Sequence, residues 1–589
     1  MRQEIIQLRE KMKEQGVDFY LVPTTDFHGS EYVHEYFKCR EFLSGFTGSA
    51  GTLLVGMNGA WLWTDGRYFL QAGMQLENSG IQLMKMGEPE VPTIEEHLEA
   101  VMEPGSVLGF DGRVVDSTMG QMYEEKYEIK WDLDLAGEIW NDRPQIIPSE
   151  IYALPPEVTG ETAAQKLKRV RSYMHDNEVE YHLITNLEDI AWLFNLRGSD
   201  VLHTPVFYAY ALISQDFAFL YLMNEDFKGG DLHDVDVRPY AQVFDDLKRL
   251  PRGSILLNED IVSYALIRSI PSNIKTVNGI NPCEIMKALK NDKEIQSTRN
   301  AHLKDGVAMV DFIHWLKSTM KFTSLLGVPG PGAGTDTGMT EIAASDYLEI
   351  CRRRQEGFID LSFDTICGYG PDGAIVHYSA TPESDRELKA EGFLLVDSGA
   401  HYRDGTTDIT RTLALGVLTE KMKEDYTAVL KAHIAVALAE FAPGTKGVKI
   451  DEIARRPLAE RGMDYNHGTG HGVGHLLSVH EGPQSISRRG ERYGFFEGMI
   501  TSNEPGYYLE GEYGIRLENE VLCVRKPNGM LGFETITFCP FEREAIVKEM
   551  LTDGELAWLN DYHAQVYDKL SPLLDENLKK WLAEACAEI

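Results

Sequence analysis

The sequence is short of positive charge. Lys and Arg number 57 against 92 Asp and Glu, a formal net charge of −35 over 589 residues. A chain this acidic repels phosphate backbones and anionic lipid, so neither nucleic acid nor a membrane surface is expected as a partner. Cysteine is also scarce. The seven thiols (39, 283, 351, 367, 523, 539 and 586) are scattered, odd in number and without a CxxC pair. That pattern excludes a disulfide framework and a zinc knuckle, and fits reduced thiols in an intracellular protein. No window approaches the run of about 18 apolar residues that a membrane span needs. The opening MRQEIIQLREKMKEQGVDFYLV has no apolar core of a secretory signal, and a cytoplasmic location is expected. Neither a GxxxxGK[ST] loop nor a GxGxxG between strand and helix occurs, so nucleotide chemistry and a tandem-Rossmann oxidoreductase have no support.

Hydrophobic residues at 43% and charged residues at 25% are the balance of folded, soluble protein. At roughly 100–200 residues per domain the length predicts two to four domains. An amphipathic helix around Ile5, Leu8 and Met12 leads into a buried strand, Val17–Val22, and the same order returns where Ala164–Met174 leads into Val179–Ile184. Phe46-Thr47-Gly48-Ser49 is echoed by Leu196-Arg197-Gly198-Ser199. Two related α/β domains in tandem are expected. The proline-dense stretch from Arg143 to Pro156 reads as the linker between them, and a second break falls near Ile280-Asn281-Pro282. The predicted boundaries are 1–155, 156–282 and 283–589. The third segment opens with a long helix predicted from Asp292 to about Met320, and Gly327–Gly334 reads as a glycine- and proline-rich excursion.

Acidic residues and histidines with catalytic potential gather in the third segment. Phe393–Val396 is an apolar strand running into Asp397, and a turn at His401–Gly405 is expected to return the chain along Thr406–Arg411, bringing Asp408 near Asp397. Paired carboxylates repel, so a positive charge must hold both ionised or one keeps its proton. His467, His471, His475 and His480 are interleaved with glycines that allow close backbone approach, and their imidazoles suit ligation or proton transfer. The strand Met499–Asn503 breaks at Glu504. In Gly514–Val521, alternation sets Arg516, Glu518 and Glu520 opposite Ile515 and Leu517. Asp397, Asp408, His471, Glu504 and Glu518 together are a hard, oxygen-rich donor set, suited to two divalent ions such as Mn²⁺, with Co²⁺, Fe²⁺ or Zn²⁺ as alternatives.

The ordered motifs VDSGA, TTDITR, HGTGHGVG, SNEPGYY and GIRLENE resemble the pita-bread metallopeptidases, and within them the Xaa-Pro aminopeptidases. REFLSGFTGSAGT, WTDGRYFLQA, DIAWLFNLRGSD and LTDGELAWLNDYH are similar to the long, three-domain form. The resemblance implies two creatinase-like α/β domains followed by a pita-bread catalytic domain, an α/β chain with an α+β catalytic part. It implies that Asp397 chelates one metal, that His471 and Glu504 bind the other, and that Asp408 and Glu518 bridge them. His377 falls where the family has a substrate-contacting, proton-moving histidine, and His480 where one stabilises the tetrahedral intermediate. His467 matches an outer-shell histidine; Tyr508 and Arg516 match groups lining the proline pocket. Asn503 and Leu517 depart from frequent family residues without touching a ligand position.

The implied reaction is attack by a metal-bridging hydroxide on the bond before proline, with Glu504 and His377 moving the proton. Peptides with proline second are the expected substrates, no organic cofactor is expected, and the family suggests a homodimer. Two alternatives remain at this level. A Xaa-Pro dipeptidase shares fold and metals but needs a cation for the dipeptide carboxylate, and Arg516 is readable either way. A catalytically inactive pita-bread domain would bind peptides or histones instead.

Overall fold

The computed structural model describes residues 2–224, 226–227, 232–326 and 338–589, with side chains of 322–326 excepted. The excursion Gly327–Gly334 lies outside the described residues. The chain folds as two compact units, Met1–Ile285 and Met286–Ile589.

The first unit contains two six-stranded sheets of one topology. In the first, Phe19–Pro23 pairs antiparallel with Thr52–Gly56 on one side and parallel with Val107–Phe110 on the other. Ala60–Thr64 and Gln82–Lys85 extend one edge, and Glu128–Lys130 closes the other. In the second, Tyr181–Ile184 sits between Ala209–Ser214, antiparallel, and Gly253–Leu257, parallel. Ala218–Leu222, Asp236–Pro239 and Ile274–Asn278 repeat the outer strands. The helices that open the two copies, Gln3–Gln15 and Ala163–Asp176, bury Ile5, Leu8 and Met12 and, in the second copy, Leu167, Val170 and Met174. The spacing that suggested a repeat is thus a repeat of packing. The proline-dense stretch is less inert than expected. Tyr152–Ala153 pairs antiparallel with Leu196–Arg197, a two-residue ladder lying between Pro148 and Pro155. Proline excludes a central strand but not so short an edge ladder.

In the second unit, helices α1 (Asp292–Leu326) and α2 (Glu341–Arg353) precede a three-stranded antiparallel sheet of β1 (Ile366–Tyr369), β2 (Phe393–Ser398) and β3 (Ile409–Ala414). Helices α3 (Glu420–Ala437) and α4 (Gly447–Ala459) follow. A six-stranded sheet then takes the order Glu440–Phe441, Leu531–Thr535, Asn519–Arg525, Ile500–Asn503, Gly470–Gly472, Glu481–Ile486. Its strands are β4 (Gly470–Gly472), β5 (Glu481–Ile486), β6 (Ile500–Asn503), β9 (Asn519–Arg525) and β10 (Leu531–Thr535). The separate hairpin β7 (Gly506–Leu509) and β8 (Tyr513–Arg516) stands between β6 and β9 in sequence, and α5 (Asp553–Leu570) and α6 (Glu576–Ala585) end the chain. Helix α1 starts at a reciprocal cap. Asn291 Oδ1 accepts from the Glu294 N–H at 3.1 Å, and Glu294 Oε2 accepts from the Asn291 N–H at 3.0 Å. Its apolar face, Met309, Phe312, Ile313 and Leu316, packs in one cluster with Leu394, Val396 and Leu413 of β2 and β3.

Two sequence expectations change here. The chain does not return directly from Asp397 along Thr406–Arg411. It leaves β2 at Gly399, makes a small hairpin of Ala400–Tyr402 and Gly405–Thr406 that joins Phe358–Leu361 in another sheet, and only then enters β3. A Cβ at Gly399 would overlap the Thr407 carbonyl oxygen, so this crossing requires glycine. The alternating run Gly514–Val521 is likewise not one strand. It breaks at Leu517–Glu518, between β8 and β9, and its polar face is buried, with Arg516, Glu518 and Glu520 no more than 1% exposed.

Candidate metal centre

Asp397 ends the apolar part of β2, opposite Thr410 of β3, while Asp408 lies just before β3 begins. His471 is the middle residue of β4, Glu504 follows β6, and Glu518 occupies the break between β8 and β9. Three sheets thus deliver their ends to one place. Ligand atoms of Asp408, His471 and Glu518 lie within 4.8 Å of one another. His471 Nε2 is 3.4 Å from Asp408 Oδ2 and 3.5 Å from Glu504 Oε1. The Glu504 N–H donates to the Thr469 carbonyl at 2.8 Å and the Glu518 N–H to the Thr410 carbonyl at 3.1 Å, so both carboxylates stand on fixed backbone. Glycine permits this approach: a Cβ at Gly470 would overlap the Ser502 oxygen of β6, and one at Gly472 the Glu481 oxygen of β5.

The electrostatics are those of crowded, buried carboxylates. Burial pushes the carboxyls of Asp397 and Glu518 up, with Asp408 adding repulsion at both. Glu504 is pushed up to about 7 by burial and Asp408, against the pull of His471 and Arg516. Burial works against a charge on His471, but Asp408 and Glu504 carry it up to about 10. Asp397 Oδ1 and Asp408 Oδ1 are buried without a hydrogen-bond partner. Orphaned carboxylate oxygens inside protein are costly unless a cation completes them. Four carboxylates and one imidazole fit divalent ions that favour oxygen ligands.

The remaining sequence candidates join the same centre to different degrees. Arg516 donates through Nη2 and Nε to Asp397 Oδ2 at 2.6 and 3.1 Å, through Nη1 to the Tyr508 hydroxyl at 2.7 Å, and through Nη2 to the Val376 carbonyl at 3.3 Å. The chain of contacts continues from Tyr508 to His467 Nε2 at 2.8 Å. His467 Nδ1 faces the Gly468 carbonyl, which can only accept, so Nδ1 carries the proton and Nε2 accepts from Tyr508. His467 reaches Glu504 at 4.0 Å. The rings of His480 and His471 meet edge-on, 4.3 Å between centroids. His377 sits half-buried in a turn beside Val376, the residue bound by Arg516.

Several supporting residues escaped the sequence reading. Thr410 donates from Oγ1 to Glu518 at 2.6 Å, and Thr412 Oγ1 donates to the Arg516 carbonyl at 3.0 Å. Alternation from Asp408 through Thr410 to Thr412 was the available signal. His433 of α3 carries its Nδ1 between the carbonyls of Asn503 and Leu517, at 3.1 and 3.2 Å, the residues immediately before Glu504 and Glu518. Burial, with Arg411 nearby, pushes it down to about 3, so it stays neutral. Asn503 returns a bond to the His433 carbonyl at 3.0 Å. A single histidine in an amphipathic helix gives no sequence sign of this.

Residues 296–525 match the model of metallopeptidase family M24, and residues 529–589 match its C-terminal region. Residues 5–143 and 142–294 match models of the creatinase/prolidase N-terminal domain. The probable Xaa-Pro aminopeptidase P of Laccaria bicolor is 37% identical over 100% of this chain and 93% of its own. The chain belongs to metallopeptidase family M24. Its second unit is the pita-bread domain of that family, preceded by creatinase-type domains. Aminopeptidase P2 of Arabidopsis thaliana is 38% identical over 96% of this chain and 85% of its own length. Among solved M24 structures, the X-prolyl aminopeptidase of Caenorhabditis elegans, described as a cytosolic enzyme with a di-nuclear active site, superposes with a TM-score of 0.93 at 33% identity. That likeness covers 100% of this chain and 99% of the other. The prolidase of Pyrococcus horikoshii gives 0.50 at 26% identity and covers 65% of this chain and 100% of its own.

Proposed function

We propose that this chain is a Xaa-Pro aminopeptidase that hydrolyses the bond between an amino-terminal residue and a following proline. The observation that carries the reading is the convergence of Asp397, Asp408, His471, Glu504 and Glu518 at one buried centre, in a chain that matches X-prolyl aminopeptidases from end to end. Asp397 on one side, His471 and Glu504 on the other, and Asp408 and Glu518 between them would hold two divalent cations. When bound, the cations supply Lewis-acid chemistry, polarising a carbonyl and activating water at neutral pH. Mn²⁺ suits this hard donor set best.

The chain's own groups do the rest. Glu504 accepts and returns the proton, with His377 on the leaving-group side. His480, against the His471 ring, donates to the oxygen on which charge develops. A Xaa–Pro bond has no N–H to grip, so recognition falls to the ring pocket, walled by Tyr508 with Arg516 behind it. Every nitrogen of Arg516 is already engaged by Asp397, Thr410, Tyr508 or Val376. With its charge paired to Asp397 at 2.6 Å, that arginine is a weak anchor for a dipeptide carboxylate, which favours the aminopeptidase over the dipeptidase. Boundaries at 1–155, 156–282 and 283–589, a homodimer and a cytoplasmic location complete the proposal. Among the described residues no helix is long and apolar enough to cross a membrane.

The test is a paired assay of metal-stripped protein with and without Mn²⁺, on a Xaa-Pro-Xbb tripeptide and a Xaa-Pro dipeptide, with bound metal measured alongside. Mn²⁺-dependent release of Xaa from the tripeptide, with two metals per chain, is expected. Cleavage of the dipeptide alone makes the protein a dipeptidase. Cleavage of neither, with no metal retained, makes it a binding protein.

A further inference from the structure

His377 is held by its neighbours. On one side the Val376 carbonyl accepts from Arg516 at 3.3 Å, tying the turn to the metal centre. On the other, the Tyr378 hydroxyl donates to Glu341 Oε2 at 2.9 Å. Glu341 opens α2 and is wholly buried. Its Oε1 accepts from the Tyr369 N–H at 2.6 Å, where the chain leaves β1, and its Oε2 accepts from the Arg386 N–H at 3.1 Å, where the excursion returns. The Glu341 N–H itself donates to the Arg386 carbonyl at 3.1 Å. One carboxylate therefore grips the start, middle and end of the segment 369–386. The Arg386 guanidinium closes that segment on itself through Asp372, at 2.6 and 3.0 Å. None of the three donors to Glu341 carries a formal charge, and neither Glu341 nor its donors are among the proposed metal ligands.

We propose that Glu341 is the positioning residue for His377, its carboxylate setting where the 369–386 segment presents that ring to substrate. The proposal rests on His377 as the substrate-contacting histidine. The groups facing Glu341 are Tyr378, Arg386, Asp385 and Asp372 on the excursion and Cys367 on β1. Burial, reinforced by Asp372, pushes its carboxyl up to about 7, against the three bonds it accepts. Below that pH the proton turns an acceptor into a donor and opposes one of the incoming N–H or O–H groups. Loop order, and with it turnover, should fall on the acid side of neutrality.

Glu341→Gln places an amide NH₂ against donors and imposes the protonated pattern at every pH. With Mn²⁺ saturating, kcat on a Xaa-Pro-Xbb tripeptide should fall about 10-fold at pH 8 with little change in KM, and the acid limb near 7 should flatten. Bound metal should be unchanged, and amide exchange across 369–386 should quicken about 10-fold or more. Tyr378→Phe removes one bond without a buried charge change, and should lower kcat about 3-fold and quicken exchange in the same segment. Wild-type exchange in either folded variant overturns the proposal, as does an activity loss that only follows lost metal. If the wild-type protein cleaves no Xaa-Pro peptide, the functional reading fails. The exchange measurement then still decides whether Glu341 anchors the segment.

Discussion

Arg516 shows how one side chain organises the centre. It is 1% exposed, and its planar fork spans Asp397 on β2, the hydroxyl of Tyr508 on β7 and the carbonyl of Val376. Lysine keeps the charge but offers a single ammonium on a flexible stem, which cannot hold three partners on separate elements. Arg516→Lys should lower kcat/KM and metal affinity by roughly 10- to 100-fold, the usual cost of losing a group that orients a metal ligand. Mn²⁺ titration beside steady-state kinetics checks it. Wild-type affinity in the variant would remove Arg516 from any part in holding Asp397. Legibility at this scale was uneven. All five proposed ligand positions stand in motifs with distinctive residue types. Thr410 and His433 do not, because a hydroxyl or an imidazole that braces backbone looks in sequence like any other.

At the scale of elements, close approach matters more than composition. Strand β4 lies between β5 and β6 only because Gly470 and Gly472 carry no side chain. Gly470→Ala drives a methyl into the Ser502 carbonyl, so β4 and β6 must separate, carrying His471 away from Glu504. We expect a loss of roughly 1–3 kcal/mol together with weaker metal binding, read by thermal melts and metal content. Gly554 of α5 faces open space, and Gly554→Ala should be neutral to slightly stabilising by comparison. A Gly470→Ala protein that binds metal normally would show that the two strands have slack. The long helix α1 and the opening helices of the repeat were legible because apolar spacing reports burial directly. The detour at Gly399 and the break at Leu517–Glu518 were not, since each depends on which sheet the next strand joins.

The stability of the whole molecule responds to pH partly through its crowded carboxylates. In metal-free protein the Glu504 carboxyl is raised to about 7 from an ordinary 4.5, so the folded state binds its proton more tightly than the unfolded state does. Such a group favours the fold below pH 4.5 and loses that contribution as pH climbs through 7; Asp397 and Glu518 act in the same sense. His471, raised from 6.5 to about 10, also favours the fold at low pH and loses its contribution as pH rises through 10. His433 and His563, held neutral in the fold at about 3, add stability with rising pH only up to about 6.5, so the melting temperature of stripped protein should fall as pH is raised from about 7 to 9. Mn²⁺ should restore it in a concentration-dependent way at the alkaline end, because cations bind the folded state alone. Calorimetry of stripped and loaded protein across that range checks the sign. A stripped protein that gains stability with pH would contradict this account of the centre.

The amino-acid sequence by itself determined the donor types, their order along the chain, the repeated helix–strand opening of the first unit and the apolar faces that become cores. Those properties are local: periodicity, glycine spacing and side-chain chemistry act within a few residues. Tertiary structure alone decided that β2 and β3 meet across a detour, that Arg516 turns inward onto Asp397, and that a glutamate at the head of α2 grips the turn bearing His377. These join residues from about ten to more than a hundred positions apart, and only the packing of separate sheets and helices fixes such distances.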